Sequence, residues 1–339
     1  MSNQFQCEVV AATAADENYA IPLAVTVRSA IDSLRPGSSL RLFVLDGGLS
    51  MESRARLMES WRDPRVKIEW IKPDVDSVKH LPVSDHVSVC CYLRLMLPEL
   101  IPADVGKLIY FDSDMLIRRD LSDLYTEPLG DQMALAVQEM AAPWMDAEIT
   151  ADCYRLRRKF LAATRPISNY RELGIRPEAM YFNSGLLVFD AAQWREQQTA
   201  KRVLDCLESN REHVKWWDQY ALNVVLADQW RPLDVRWNQT AAAFEYPNWR
   251  LSPLDRQAFE QIREDPWIVH FCSPDKPWHY FCDHPYRHEF YATLAHTQWR
   301  GWRPAKPAAV VAARWKRMRV SVKKKIRSVK ANVRTRFAA

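Results

Sequence analysis

Asp112 and Asp114 follow directly on the apolar run Leu108-Ile109-Tyr110-Phe111, with Ser113 between them. In an extended segment residues i and i+2 point to one side, so both carboxylates can reach a single cation. Carboxylate oxygens suit hard ions such as Mg²⁺ and Mn²⁺, and the chemistry that needs such an ion here is the departure of a phosphate on which negative charge builds. Asp-x-Asp also occurs as an ordinary solvated turn, so its meaning depends on its company. His270 heads the stretch His270-Phe271-Cys272-Ser273-Pro274-Asp275-Lys276-Pro277-Trp278, which offers an imidazole for a third metal position and, in Lys276, an ammonium for phosphate. The segment from Ala11 to Ala20 sets small residues, then Asp16 and Asn18, at the end of a first apolar run. Small side chains there let a flat base approach the backbone, and a carboxylate can accept from a uracil N–H or a ribose hydroxyl. Met180-Tyr181-Phe182-Asn183-Ser184-Gly185 and Trp217-Asp218-Gln219 add polar groups at element ends, where sugar hydroxyls can be read.

The elements that must position these residues alternate in type. Apolar runs predict strands over residues 7–14, 40–45, 66–71, 107–111, 133–137, 180–189, 230–237 and 267–271. Helical spacing predicts helices over 19–34, 51–61, 92–100, 191–209 and 218–226, the first stopped by Pro36-Gly37. Strand and helix in alternation argue for an α/β fold with a mostly parallel sheet, whose ligands bind beyond the carboxyl ends of the strands. Asp112 and Asp114 stand at such an end. Residues 140–177, rich in Arg, Pro and aromatics, form a long irregular insertion of the kind used as a lid or binding loop.

With 339 residues, 48% hydrophobic and 26% charged, the composition is that of a globular protein rather than a disordered or fibrous one. The seven cysteines form no CxxC pair, which predicts reduced thiols in a cytosolic protein rather than a disulfide framework or a zinc ribbon. No signal peptide and no apolar stretch long enough to span a membrane is expected. The net charge of +5 hides an asymmetry: from Arg300 onward there are 14 Lys and Arg and no acid, which leaves a net −9 on the preceding 299 residues.

Six motifs in order, AADENYA, HVSVCCYLRL, YFDSDMLI, YFNSGLLVFD, WWDQYALN and HFCSPDKPWH, make the chain resemble glycosyltransferase family 8 from about residue 9 to 278. Within that family it looks like the bacterial lipopolysaccharide galactosyltransferases. The resemblance implies a GT-A fold, one Rossmann-like α/β domain that binds a UDP-sugar with Mn²⁺ (or Mg²⁺) and transfers the hexose with retention of configuration. It implies Asp112, Asp114 and His270 as metal ligands. Asp16 and Asn18 would hold the uridine, with backbone contacts from Ala14. Arg94, Asn183, Ser184 and Asp218 would grip the donor sugar, while Ser113 and Ser273 would lie with the donor. Ser273 stands where galactosyl relatives tend to carry Gly. Lys276 would neutralise the diphosphate, His86 would belong to a loop closing over the donor, and Glu139 would contact the acceptor. Gln219 would lie near the anomeric carbon. As a neutral amide it is a poor nucleophile, which favours electrostatic stabilisation of an oxocarbenium-like carbon, with the leaving diphosphate accepting the proton of the incoming hydroxyl.

The catalytic domain is thus expected over residues 1–285, a linker over 286–309 and a basic tail over 310–339. In that tail Val311, Trp315, Met318, Val322, Ile326, Val329, Val333 and Phe337 recur at helical spacing, with Lys and Arg on most positions between. A basic amphipathic helix of this kind suits an anionic membrane surface, at about 1 kcal/mol per cation near it. This predicts a peripheral protein on the inner face of the cytoplasmic membrane that acts on a lipopolysaccharide or other glycolipid acceptor and binds no nucleic acid. Docking of the helix on the acidic body is the bland alternative, and nucleic-acid binding is a third. Two rival functions remain in view: a non-catalytic UDP-sugar binder of the same fold, and a haloacid-dehalogenase-type phosphatase. The latter has its first Asp near the N-terminus and Thr or Val two residues after the second Asp, where this chain has Leu116.

Overall fold

The computed structural model describes residues 7–81, 90–146 and 165–308. Strand β1 (Cys7–Ala15) is followed by α1 (Ala20–Asp32), β2 (Ser38–Asp46), α2 (Met51–Ser60) and β3 (Val66–Ile71). Next come α3 (Cys90–Leu93), α4 (Leu97–Leu100), β4 (Lys107–Phe111), β5 (Met115–Ile117), α5 (Leu121–Tyr125) and β6 (Ala134–Gln138). The chain continues with β7 (Phe182–Asp190), α6 (Ala191–Glu196), α7 (Thr199–Ser209), α8 (Trp217–Val225) and β8 (Trp230–Pro232). It closes with β9 (Gln239–Thr240), α9 (Arg256–Glu264), β10 (Ile268–His270) and α10 (Arg287–Leu294).

Seven strands form the main sheet in the order β3-β2-β1-β4-β7-β6-β8. Within it β7 alone runs against its neighbours β4 and β6, and the other adjacent pairs are parallel. The α/β class with a mostly parallel sheet is therefore as expected. The chain winds outward from β1 to β3 and then resumes on the other side of β1 at β4. That reversal opens a crevice beyond the carboxyl ends of β1 and β4, the usual ligand position in such sheets. A second, three-stranded sheet, β5-β10-β9, stands beside it.

Burial explains why these segments fold as they do. Helix α1 hides Leu23, Ala24, Val25, Val27, Ala30 and Ile31 on several faces, so it lies inside the cluster that also takes Ile109, Phe111 and Val188 from one face of the sheet. The opposite face buries Tyr110, Leu187 and Phe189 against α6, α7 and α8 through Trp194, Val203, Leu207 and Leu222. Alternation along β4 and β7 thus feeds two cores at once, as strands covered on both faces require.

Several expectations are modified. The predicted helix over 92–100 is broken into α3, a 3-10 turn at Arg94–Met96, and α4. Pro98 has no N–H to give the carbonyl of Arg94, so that carbonyl takes the tighter bond from the Leu97 N–H. The helix over 191–209 splits where Gln198 takes the left-handed conformation at φ 50°. The strand over 230–237 ends at Pro232, and Asp234 caps a 3-10 turn at Val235–Asn238 instead. The linker expected from residue 286 is helical at Arg287–Leu294, and Phe290, Leu294 and Trp299 are buried in the main core. Gln298 N donates to Ser60 Oγ at 2.9 Å and the Arg56 guanidinium stacks on Trp299, so this stretch belongs to the folded body. The described ends of the insertion are packed too: buried Asp146 accepts from Arg165 Nε and Tyr170 Oη, each at 3.0 Å. None of the six described cysteines is in a disulfide. The tail helix and Cys153 lie outside the described residues.

Candidate active site

The two carboxylates sit where β4 ends. Asp112 N donates to Gly185 O at 2.8 Å, extending the β4–β7 ladder one residue past Phe111. The turn that follows is held from beneath by buried Thr26 of α1. Its hydroxyl accepts from Met115 N (3.0 Å), and its one proton lies within reach of Met115 O (2.7 Å) and Ser113 O (2.9 Å). His270 arrives from more than 150 residues later because β10 pairs antiparallel with β5, which sets His270 opposite Met115, and Phe271 N donates to Asp114 O. The outcome is a cluster in which Asp112, Asp114 and His270 can each offer a ligand atom within 4.8 Å of the others. His270 Nε2 is 3.2 Å from Asp114 Oδ1 and 3.6 Å from Asp112 Oδ2.

Two buried cations face these acids. Lys276 Nζ is 2.5 Å from Asp114 Oδ2, with Tyr19 and Trp278 rings flanking the ammonium. Arg94, 6% exposed, reaches Asp112 Oδ1 at 3.1 Å, Asp218 Oδ2 at 3.0 Å and Ser184 O at 2.5 Å. The electrostatic consequences differ by residue. Burial raises the Asp112 carboxyl above its usual range, against the opposing pull of Arg94 and His270. Burial would raise Asp114 as well, but Lys276 and His270 together hold it well below the ordinary carboxylate range. Asp218 is pushed up to about 6 by burial, with Arg94 opposing.

Beside this cluster lies a cavity of about 430 Å³. Of the residues expected at the site, Ala14, Asp16, Arg94, Asp112, Ser113, Asp114, Glu139, Asn183, Ser184, Asp218, Gln219, His270, Ser273 and Lys276 all line it. Asn18 does not line it: its side chain is exposed and its backbone N–H caps onto Asp16 Oδ1 at 3.0 Å. His86 falls outside the described residues. A register shift between β6 and β7 takes the pairing from Ala136↔Leu187 to Val137↔Asn183 and so leaves Ser184, Gly185 and Leu186 without partners on β6, a device common next to binding sites. Ser184 N donates to Gln219 Oε1 at 3.0 Å, which fixes the amide oxygen of Gln219 in place. Asn183 is committed within the protein, with Nδ2 donating to Glu139 Oε2 at 2.6 Å. Glu139 in turn accepts from Ala141 N at 2.9 Å.

Three contributors escaped the sequence reading as site residues. Tyr110 Oη donates to Asp112 Oδ1 at 3.0 Å. Gly185 lies so close to the cluster that a Cβ there would stand 2.3 Å from His270 Cε1 and 2.8 Å from Asp112 Oδ2. A glycine inside an otherwise apolar strand is the signal that could have found it. Asn238, buried, lies 2.9 Å from His270 Nδ1 through Oδ1, and nothing local in the sequence marks it. The donor set, two carboxylates and one imidazole in a cradle too tight for a methyl group, fits an intermediate-to-hard divalent ion such as Mn²⁺.

The model of one protein family, glycosyl transferase family 8, matches residues 10–282. General stress protein A of Bacillus subtilis (strain 168) is 28% identical over 288 residues, 84% of this chain and 92% of that protein. The lipopolysaccharide glucosyltransferase WaaO of Escherichia coli (strain K12) is 25% identical over 249 residues, 72% of this chain and 64% of WaaO. Among solved structures, the galactosyltransferase LgtC in complex with donor and acceptor sugar analogs is alike in fold, with a TM-score of 0.71 at 24% identity over 89% of this chain and 98% of that one.

Proposed function

This chain belongs to glycosyl transferase family 8, and from that premise we propose that it is a retaining transferase moving galactose or glucose from a UDP-sugar to a saccharide acceptor on a lipopolysaccharide or other glycolipid. The observation that carries the reading is the meeting of Asp112, Asp114 and His270 beside Lys276 at one cavity, residues drawn from segments more than 150 positions apart. Asp112, Asp114 and His270 would hold a divalent cation, Mn²⁺ or Mg²⁺. Such an ion, when bound, supplies a Lewis acid that neutralises charge developing on the leaving diphosphate.

The chain's own groups do the rest. Lys276, released from Asp114, places an ammonium against the diphosphate, and its burial between two rings makes that charge effective. Ala14 and Asp16, at the end of β1, take the uridine. Arg94 ties Asp112 to Asp218 and so joins the metal end of the cavity to its sugar end. The bond from the anomeric carbon to the diphosphate oxygen breaks as the acceptor hydroxyl bonds to the same face of that carbon. The hydroxyl proton passes to the departing phosphate oxygen. Gln219, its oxygen held by the Ser184 N–H, presents a fixed dipole to the positive charge on the carbon rather than a bond. Glu139 would meet the acceptor.

Peripheral attachment to the inner face of the cytoplasmic membrane through residues 310–339 belongs to the same proposal. Among the described residues no helix is long and apolar enough to cross a membrane. A screen of UDP-Gal, UDP-Glc and their N-acetyl forms with Mn²⁺ or with chelator, reading UDP release, tests the reaction. Release that depends on the metal and on one hexose is expected. No metal-dependent release with any donor would favour a sugar binder that has kept only the fold.

A further inference from the structure

A backbone amide cannot flip, and one in this site orients a chain of side chains that can. Gly185 N, in β7, donates to Asn183 Oδ1 at 2.9 Å, which identifies that atom as the oxygen and turns Nδ2 toward Glu139 Oε2. The amide of Asn238 also faces Asn183 Oδ1, at 2.9 Å. An oxygen only accepts, so the Asn238 atom there is its nitrogen, and its own oxygen points the other way. That oxygen lies 2.9 Å from His270 Nδ1. By the same rule Nδ1 carries a proton, and the orientation follows without choosing an amide flip or a ring tautomer by hand. Nε2 is then the nitrogen that faces Asp112 and Asp114. The order is Gly185 N–H, Asn183, Asn238, His270, with each polarity dictated by the one before.

We propose that Asn238 is a positioning residue of the metal histidine: it fixes the His270 ring with Nδ1–H bonded and Nε2 directed at the cation, and its own orientation is dictated through Asn183 by the Gly185 backbone. This rests on His270 serving as a cation ligand. Metal-bound histidines generally donate their second nitrogen to an acceptor, and loss of that acceptor typically weakens metal affinity about 10–100-fold. Asn238 is suited to the task because it is 1% exposed and sits at the end of the 3-10 turn Val235–Asn238, immediately before β9, which pairs with β10 at Thr240↔His270.

The ring nitrogens can be read by ¹H–¹⁵N correlation on the metal-free chain, with His270→Gln used to assign the signal. A slowly exchanging proton on His270 Nδ1 is expected in the unaltered protein; an Nδ1 without a proton overturns the proposal with no variant needed. Mn²⁺ binding in the presence of UDP, followed by the EPR signal of the remaining aqueous ion, is expected to weaken about 10–100-fold in Asn238→Ala. Asn238→Asp keeps an oxygen facing Nδ1 but sets its second oxygen against Asn183 Oδ1, so it is expected to retain the Nδ1 proton without restoring full Mn²⁺ affinity. Unchanged affinity in Asn238→Ala, or loss of the Nδ1 proton in Asn238→Asp, refutes the role. These readouts need no sugar transfer, so a failed donor screen would overturn the proposed reaction and leave this result standing.

Discussion

Adding one methyl group at Gly185 is expected to disable the cation site while leaving the fold in place. The backbone there needs no glycine on conformational grounds, since Gly185 is not among the residues with positive φ. Space is the constraint. A Cβ would stand 2.3 Å from His270 Cε1, 2.8 Å from Asp112 Oδ2 and 2.9 Å from Asn183 Oδ1. Ordinary contact between carbons begins near 3.5 Å, so the imidazole must withdraw by about 1.2 Å. Metal–ligand distances tolerate about 0.2 Å, so the displacement is several times what coordination allows. The overpacking itself costs about 1–3 kcal/mol of stability. A misplacement of about 1 Å in a reacting constellation lowers rates about 100-fold. Gly185→Ala is therefore expected to remain folded, with a modestly lower Tm, to bind Mn²⁺ at least tenfold more weakly and to release UDP from its donor about 100-fold more slowly. Gly106→Ala is the control, because a Cβ there meets nothing within 4 Å. If Gly185→Ala binds Mn²⁺ and turns over like the unaltered protein, the argument from the cradle is wrong.

Gln219→Ala is expected to lower kcat about 100-fold, in line with the loss of one oriented dipole at a charged transition state, while UDP affinity measured by calorimetry stays close to that of the unaltered protein; a large loss of UDP binding would contradict its placement at the sugar end. His284, buried against Phe271 and Phe244, is pushed down to about 4 from 6.5 by burial. Above pH 6.5 it is neutral folded or unfolded and its contribution is complete; between 6.5 and 4 only the unfolded chain takes the proton, so stability falls by about 3 kcal/mol and then levels. Urea unfolding at pH 8 and pH 5 should show that component in the unaltered protein and not in His284→Phe; identical pH dependence in both would reject it. Deleting residues 310–339 is expected to release the protein from anionic vesicles while transfer to a soluble acceptor persists, and a truncated protein that still sediments with the vesicles would end the membrane proposal.

Much of this was legible in the sequence because it is written locally. The apolar run ending at Phe111 marked β4, and the two carboxylates after it could only sit beyond a strand end. The spacing of Leu23, Val27, Ala30 and Ile31 marked α1, now seen buried. What was not legible depends on partners far away in the chain. No local pattern says that β7 runs against β4, although that reversal is what carries Gly185 to Asp112. Asn238 reads as an ordinary polar residue after a tryptophan, and its task exists only because β9 and β10 pair. The expected linker from residue 286 carries aromatics whose partners lie far away in the chain. They are spent on contacts: Phe290 packs against Phe271 and Trp278 at ring-centroid distances of 6.0 and 5.5 Å. Asn18 is exposed beside the cavity, and its backbone N–H caps onto Asp16 Oδ1, a local contact that spacing alone does not give.

The ion pair between Lys276 and Asp114 sets the order in which ligands can profit from one another. With Arg94 shared between Asp112 and Asp218, and Lys276 against Asp114, two buried cations already offset much of the charge of three carboxylates. A divalent ion entering alone would add two positive charges to a site whose three carboxylates already face two cations. Under the proposed function, a diphosphate arriving with it would draw the ammonium off Asp114 and free that oxygen for the ion. Metal and nucleotide would then each raise the other's affinity by the same factor, as thermodynamic reciprocity demands. Lys276 would thus keep the site's seat for the cation until the nucleotide comes to claim it.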